Sequence, residues 1–354
     1  MKAKALGRIL CLAAILLAAG GAMADVFNMG SGLTSLDMVP VGNAGNAADT
    51  ATHSGNSAGQ GEVGYEYNIG KYEVTAGQYT EFLNAVAGAD SYALYNSDMW
   101  SSSYGCKIER HTGTGTQADP YQYRVAANYA NRPVNFVSWG DATRFANWLT
   151  NGRGNGDTES GAYALNGAMT DTQLMAVAVP SAAQRATWST GETPYFLLTS
   201  EDEWYKAAYH DENAGLSAGY FDYPTSNNMV PSNDLVAPDP GNNATFYDSG
   251  YTIEGPYRTE VGSHENSDTP YGTFDQGGNV WEWNEAKVLG AYRGLRGGSF
   301  RDIGGDRLHA SFRNYNDPTV EYFYIGFRVS EVPEPGTMAI LALGVVGMLR
   351  RRLR

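Results

Sequence analysis

The sequence predicts an α+β fold with much irregular loop. Three observations carry that expectation. A short apolar strand, a capping residue and an amphipathic helix recur in that order three times; long Gly-, Asn-, Ser- and Thr-rich stretches separate these units; and short strands return near 294–300 and 326–329. In the first unit, a strand within 65–74 precedes Thr75 as N-cap and Gln78 at the capping-box position. Tyr79, Phe82, Leu83 and Val86 follow at helical spacing. The second is a strand at 134–137, then Ser138 with Asp141, then Ala142, Phe145, Ala146 and Leu149. The third is a strand at 195–198, then Thr199 or Ser200 with Glu203 in reach, then Trp204, Ala207 and Ala208. These stripes read as core faces rather than cofactor surfaces. Residues 151–193 have little periodicity, and the chain beyond His210 reads as loop. Loops of that length need something besides secondary structure to hold them, and a bound cation is one candidate.

The 354 residues include 24 Lys and Arg against 38 Asp and Glu, a net charge of -14. Three of the basic residues lie in the first 24 and four in the last 17, with no acid in either segment. The stretch 25–337 therefore holds 17 basic and 38 acidic residues, a net of -21. Such a surface argues against nucleic acid as a partner. A disulfide scaffold is excluded too, because Cys11 lies in an N-terminal apolar run and only Cys106 remains. About 310 residues suffice for a sizeable core, as one large or two modest domains.

Both ends read as addresses. Lys2, Lys4 and Arg8 precede an apolar run at 9–19 and the small-x-small sequence Ala22-Met23-Ala24, which together predict a signal peptide over 1–24. Residues 25–62 read as a flexible leader, with an early strand at 26–29. At the other end, Pro333-Glu334-Pro335 is followed by twelve apolar residues and an Arg cluster ending at Arg354. The twelve residues are short for a transmembrane helix across a core of about 30 Å, so they predict a marginal membrane segment. This three-part order resembles the PEP-CTERM sorting signal. The resemblance implies an exosortase-type protease as a transient partner, a segment 331–354 that is removed or exchanged, and a place in the envelope, at the outer surface or in the extracellular matrix.

The densest chemical signal runs from Tyr271 to Asn284. Asp275 and Glu282 flank a Gly277-Gly278 turn, and two acids around a flexible turn can supply oxygens to Ca²⁺. From spacing alone, an acidic loop bonded to its own backbone is an equal reading. Then come Leu295-Arg296-Gly297-Gly298-Ser299 and Gly326-Phe327-Arg328. With Ile69 to Thr75, Arg132-Pro133-Val134 with Trp139, Leu198-Thr199-Ser200-Glu201 with Glu203-Trp204, and Gly277 to Trp283, these motifs in this order resemble the sulfatase-modifying factor family. Its namesake is the formylglycine-generating enzyme.

The resemblance covers 63–330 and implies one compact domain, a variant of the C-type-lectin-like fold, with bound calcium. Carried over, it assigns Asp275 and Glu282 as side-chain ligands and Gly278 and Val280 as carbonyl ligands; the family has Asn where Asp275 stands. A second calcium site would map near Asn243 and Ala244, where the following acidic loop aligns poorly. Family oxidases carry two copper-binding cysteines after the Gly-Gly-Ser motif, and soft Cu(I) needs those sulfurs. This chain has Asp302 and, approximately, Arg307 there, so neither copper nor formylglycine formation is expected. Trp281, Ser299, His309 and Arg313 remain as cleft candidates. Asp302, Asp306, His309 and Arg313 could serve acid–base work, but read rather as a solvated, salt-bridged loop. The five histidines show no zinc spacing. The expected function is an exported, calcium-stabilised, non-catalytic module binding an extracellular polysaccharide or peptide. The alternative is a divergent enzyme of the same family acting on a protein through residues other than cysteine.

Overall fold

Thr75, Ser138 and Ser200 each begin a helix. In the computed structural model, which describes residues 36–51, 59–189 and 194–332, each hydroxyl accepts the amide three residues on, and that residue's side chain accepts the amide of the cap. Such reciprocal bonds satisfy two of the orphan donors at a helix start.

The chain runs β1 (Met38–Val41), β2 (Tyr67–Gly70), α1 (Ala76–Val86), α2 (Asp98–Ser101), β3 (Ile108–Thr112), β4 (Gln122–Val125) and α3 (Trp139–Thr150). Then follow α4 (Asp171–Ala176), α5 (Ala182–Trp188), β5 (Tyr195–Leu198), α6 (Glu201–Tyr209), β6 (Trp281–Val288), β7 (Tyr292–Arg296), β8 (Asn314–Asn316), β9 (Ile325–Phe327) and β10 (Val329–Val332). One antiparallel sheet has the order β1-β2-β10-β5, and a second has β8-β7-β6-β9 with β6 and β9 parallel. β3 and β4 form a separate hairpin. Only Arg328 separates β9 from β10, so the chain passes from one sheet to the other across a single residue.

Helices α1 and α3 lay their aromatic stripes against this junction. Phe145 lies 5.3 Å, ring to ring, from both Phe82 and Phe327, and 5.6 Å from Trp148. All four are buried in one cluster with Val74, Leu197 and Leu295. The mixed helix-and-sheet, single-domain expectation is met.

Several boundaries differ from the sequence reading. The domain begins before 63: β1 pairs with β2 over four residues, and the buried Asn46 bonds Gly61 O and Tyr220 Oη. The 26–29 strand, like the signal segment and the 333–354 tail, lies outside the described residues. Residues 134–137 form no strand; Phe136 is left-handed at φ 57°, and the Val134 amide bonds Val74 O. Within 151–193 two short helices appear, each with its own capping box, Thr170 with Gln173 and Ser181 with Gln184.

The long stretch beyond His210 is indeed mostly irregular, and side-chain networks hold it. Asp239 accepts from the Gly241 amide, Asn243 Nδ2 and Ser267 Oγ. Asn233 Nδ2 reaches the carbonyls of Phe246 and Gly250.

One acid pair sets a pH response. Asp141, in the α3 cap, accepts from the Ser138 amide at 2.8 Å, and Glu321 accepts from Asn96. Burial, reinforced by the charge of Asp141, pushes Glu321 up to about 8 from an ordinary 4.5. Burial also pushes Asp141 up to about 6, against the bonds from Ser138. The folded chain therefore holds a proton that the unfolded chain has lost. The stability this confers is complete below about pH 4.5 and drains away as pH rises through about 8. In chelator, the melting temperature of Glu321→Gln should fall less than that of the parent between about pH 5 and pH 9. Parallel curves would remove Glu321 as a source of the slope.

Candidate functional site

A pocket of about 350 Å³ opens where β6 begins, at the loop that follows β7. Gly297 makes that loop possible: its φ is 100°, and a Cβ would stand 2.7 Å from Gln276 O. Trp281 and Ser299 form the buried floor. Ser299 Oγ donates to Asp302 Oδ2 at 2.8 Å, and the Trp281 side chain donates to the same carboxyl. Burial raises the Asp302 pKa, while the Ser299 bond and the nearby Arg307 charge work against that rise. The Asp302 carbonyl accepts the Tyr247 amide and the Gly304 amide returns to Tyr247 O, which fixes the loop. Arg301 and Arg307 stand at the rim, with Asn314 from β8 and Tyr324 opposite. The Arg301 guanidinium lies 5.2 Å from the centre of the Phe323 ring, and that of Arg307 lies 4.3 Å from Phe312.

A second cluster lies where the two sheets meet. Glu282 on β6 is fully buried, and the Arg328 fork reaches both its oxygens at 2.7 and 2.8 Å. Trp204 Nε1 donates to it at 2.7 Å. Asp275 accepts the Gly262 amide at 2.6 Å. Buried Glu73 accepts from Asn279 Nδ2 at 3.2 Å. Burial raises the Glu73 pKa well above the usual carboxylate range, and the charges of Asp275 and Glu282 add to that rise. Burial likewise lifts Asp275 to about 6.

Two buried oxygens here have no partner, Glu73 Oε1 and Asn279 Oδ1. Three acids lie around one guanidinium; Arg328 and Trp204 take both Glu282 oxygens, so the unpartnered oxygens are those of Glu73 and Asn279. Among the described residues, no three His, Cys, Asp or Glu side chains are gathered to hold a metal by themselves. A cation would therefore need carbonyls as well. The Gly278 backbone is pinned for close approach: its φ is 88°, and a Cβ would stand 2.2 Å from Thr245 O.

The model of the sulfatase-modifying factor enzyme 1-like domain matches residues 31–332. The chain belongs to this family. The PEP-CTERM protein-sorting motif matches residues 331–353, a signal for export and cell-envelope sorting that implies handling by an exosortase. Among solved structures, Treponema denticola variable protein 1 shares the fold, with a TM-score of 0.51 and 19% identity over 87% of this chain and 98% of its own. CarF aligns at a TM-score of 0.44 with 18% identity, covering 83% of this chain and 97% of its own. PvdO from Pseudomonas aeruginosa aligns at 0.47 with 16% identity, over 84% and 94%. No curated protein matches the chain.

Of the residues singled out by comparison with this family, the structure brings Trp281, Ser299, Asp302 and Arg307 into the pocket. It does not bring His309 and Arg313 there. His309 bonds Ser311, lies 3.7 Å from Asp222 and packs its ring on Tyr223. Arg313 pairs with Glu201 at 2.6 Å. Asp275 and Glu282 share the buried acid cluster around Arg328, with Gly278 and Val280 nearby in the chain. Sequence reasoning missed Glu73 and Asn279, although both stand inside quoted motifs.

At the second mapped calcium position, Asn243 turns its amide to Asp239 at 2.6 Å and Ala244 bonds Ser232 O. Burial works to raise Asp239, but bonds from Asn243, Gly241 and Ser267 outweigh it and hold the acid low. Cys106 is buried, its sulfur 3.9 Å from Asn135 O, and burial raises the thiol pKa. A transmembrane helix is not supported: no helix among the described residues is long and apolar enough to cross a membrane, and 338–349 lies outside them.

Proposed function

We propose that the chain is an exported, calcium-stabilised, non-catalytic member of its family, sorted to the cell envelope or extracellular matrix, where its pocket binds a glycan or peptide. The observation that carries this reading is the pocket itself. At the positions set against the family's cysteine pair stand Asp302 and Arg307, and neither can hold soft Cu(I). Cys106 gives no substitute, since a buried thiol with a raised pKa is a poor thiolate. Incubating the protein with a cysteine-containing sulfatase peptide under O₂ should give no mass loss of formylglycine formation. Stoichiometric copper or iron in the purified protein would sink the reading.

Calcium is proposed at the cluster of Asp275 and Glu282, with the Gly278 and Val280 carbonyls completing the set; when bound, the ion supplies charge neutralisation. The excess of buried acid over base and the unpartnered oxygens of Glu73 and Asn279 support it. At a hundredfold excess over its Kd, calcium should add about 2.7 kcal/mol to folding. Asp275→Ala removes one ligand but keeps the Glu282–Arg328–Trp204 bonds, so it should erase that gain without unfolding the domain. An Asp275→Ala melting curve that still responds fully to calcium would refute the assignment.

A further inference from the structure

We infer that the pocket is a site for a carboxylated sugar, the uronate unit of an acidic polysaccharide, with Arg301 and Arg307 receiving the carboxylate. This rests on the ligand-binding reading above and names the ligand class of that pocket.

The argument begins with how this chain uses its arginines. Arg185, Arg296, Arg313 and Arg328 all give their donors to carboxylates or carbonyls. Arg301 and Arg307 make no ion pair or side-chain hydrogen bond among the described residues, yet both line one pocket of a strongly acidic protein. Neither is loose. Each guanidinium is set over a phenylalanine ring, Phe323 or Phe312. Stacking of that kind leaves the N–H edge free and orders it in advance, the arrangement that suits a planar carboxylate.

Asp302 feels the Arg307 charge but forms no direct ion pair with it, and its carboxyl accepts from Ser299 and Trp281. It is also an acceptor for a ligand hydroxyl, and Asn314 opposite adds an amide that can both donate and accept.

Size and rim favour a sugar over a peptide. A volume of about 350 Å³ lies at the small end of ligand sites, suited to one ring with its substituents. Tyr322, packed 5.3 Å from the pocket's Tyr324, remains 45% exposed. Such a ring face stacks on the apolar face of a pyranose. The net negative body does not forbid an acidic glycan, because at physiological salt its field is screened beyond about 8 Å.

The test is calorimetric titration of the full chain with trigalacturonate, with the same trisaccharide reduced at its carboxyl groups, and with a triaspartate peptide. Trigalacturonate should bind, and the reduced sugar should bind weaker by about tenfold or more. Arg301→Gln and Arg307→Gln should each lose about tenfold with an unchanged melting temperature, since both side chains are exposed and unpaired. Equal binding of the reduced sugar, or unaltered binding by both variants, would overturn the carboxylate assignment while leaving a glycan-binding module standing. Tighter binding of triaspartate, or no binding of either sugar, would overturn the sugar assignment. The sulfatase-peptide assay reads the non-catalytic proposal independently of all these outcomes.

Discussion

Replacing Arg185 by Met should destabilise the fold by about 3–5 kcal/mol, among the largest single-residue losses expected in this chain. Arg185 on α5 is 1% exposed and reaches both oxygens of Glu203 on α6, at 2.8 and 2.7 Å. Its other terminal nitrogen lies 2.5 Å from Glu285 on β6. Both acids are buried. Burial alone would lower the Arg185 pKa, but the charges of Glu203 and Glu285 outweigh it and hold it well above the ordinary value. Without the guanidinium, two carboxylates remain inside with only neutral side-chain and backbone donors bonded to them, although the Arg293 charge still acts on Glu285. Glu203 keeps Tyr65 Oη, Ser330 Oγ and the Ser200 amide, and Glu285 keeps Tyr163 Oη. Those bonds do not cancel charge, so the acids should protonate, and the loss should shrink at low pH. The triple variant Arg185→Met, Glu203→Gln, Glu285→Gln should recover much of the stability, because a buried pair replaced by neutral groups costs far less than a pair half removed. Urea unfolding decides it; a loss under about 1 kcal/mol for the single variant would mean water enters and solvates the acids.

That network also marks where reading the sequence stops. The starts of α1, α3 and α6 were legible because cap, third residue and apolar stripe all lie within a dozen positions. The same cap signal stood before α4 and α5, at Thr170 with Gln173 and Ser181 with Gln184, but helices of six and seven residues are too short to display a stripe. The strand β6 was hidden for a different reason. Its eight residues, Trp281–Val288, begin at the Gly-Gly turn and are buried at six positions, five of them in unbroken succession, so period-two alternation is lost.

The pocket was half legible on similar grounds. Ser299, Asp302 and Arg307 sit within nine residues of one motif, while Asn314 and Tyr324 reach it only because the second sheet has the order β8-β7-β6-β9. Glu73 and Asn279 were in plain view within motifs. What made them candidates is burial without a partner, which spacing does not encode.

The Arg328 cluster should respond asymmetrically, and the asymmetry separates it from a simple ion pair. Arg328 is the single residue between β9 and β10, and its donors tie Glu282 of β6 to the carbonyls of Gly70 on β2 and of Phe274. It therefore joins both sheets as well as balancing charge. Arg328→Met leaves Glu282, Glu73 and Asp275 buried without the guanidinium that binds Glu282, and should cost about 3–5 kcal/mol in chelator. Glu282→Gln removes one of three acids from around a guanidinium that still faces the other two, and Trp204 Nε1 can donate to the amide oxygen. It should cost clearly less. In an isolated pair the two losses would be comparable, because either one strands a single buried charge. Arg328→Lys should fall between, since an ammonium restores the charge but not the fork that spans both oxygens of Glu282. Urea unfolding at about pH 8, where unpaired acids lose their protons most readily, should rank the three in that order. A Glu282→Gln variant as damaged as Arg328→Met would mean that Glu73 and Asp275 do not share the guanidinium, and the excess of buried negative charge that favours a cation at this junction would be absent.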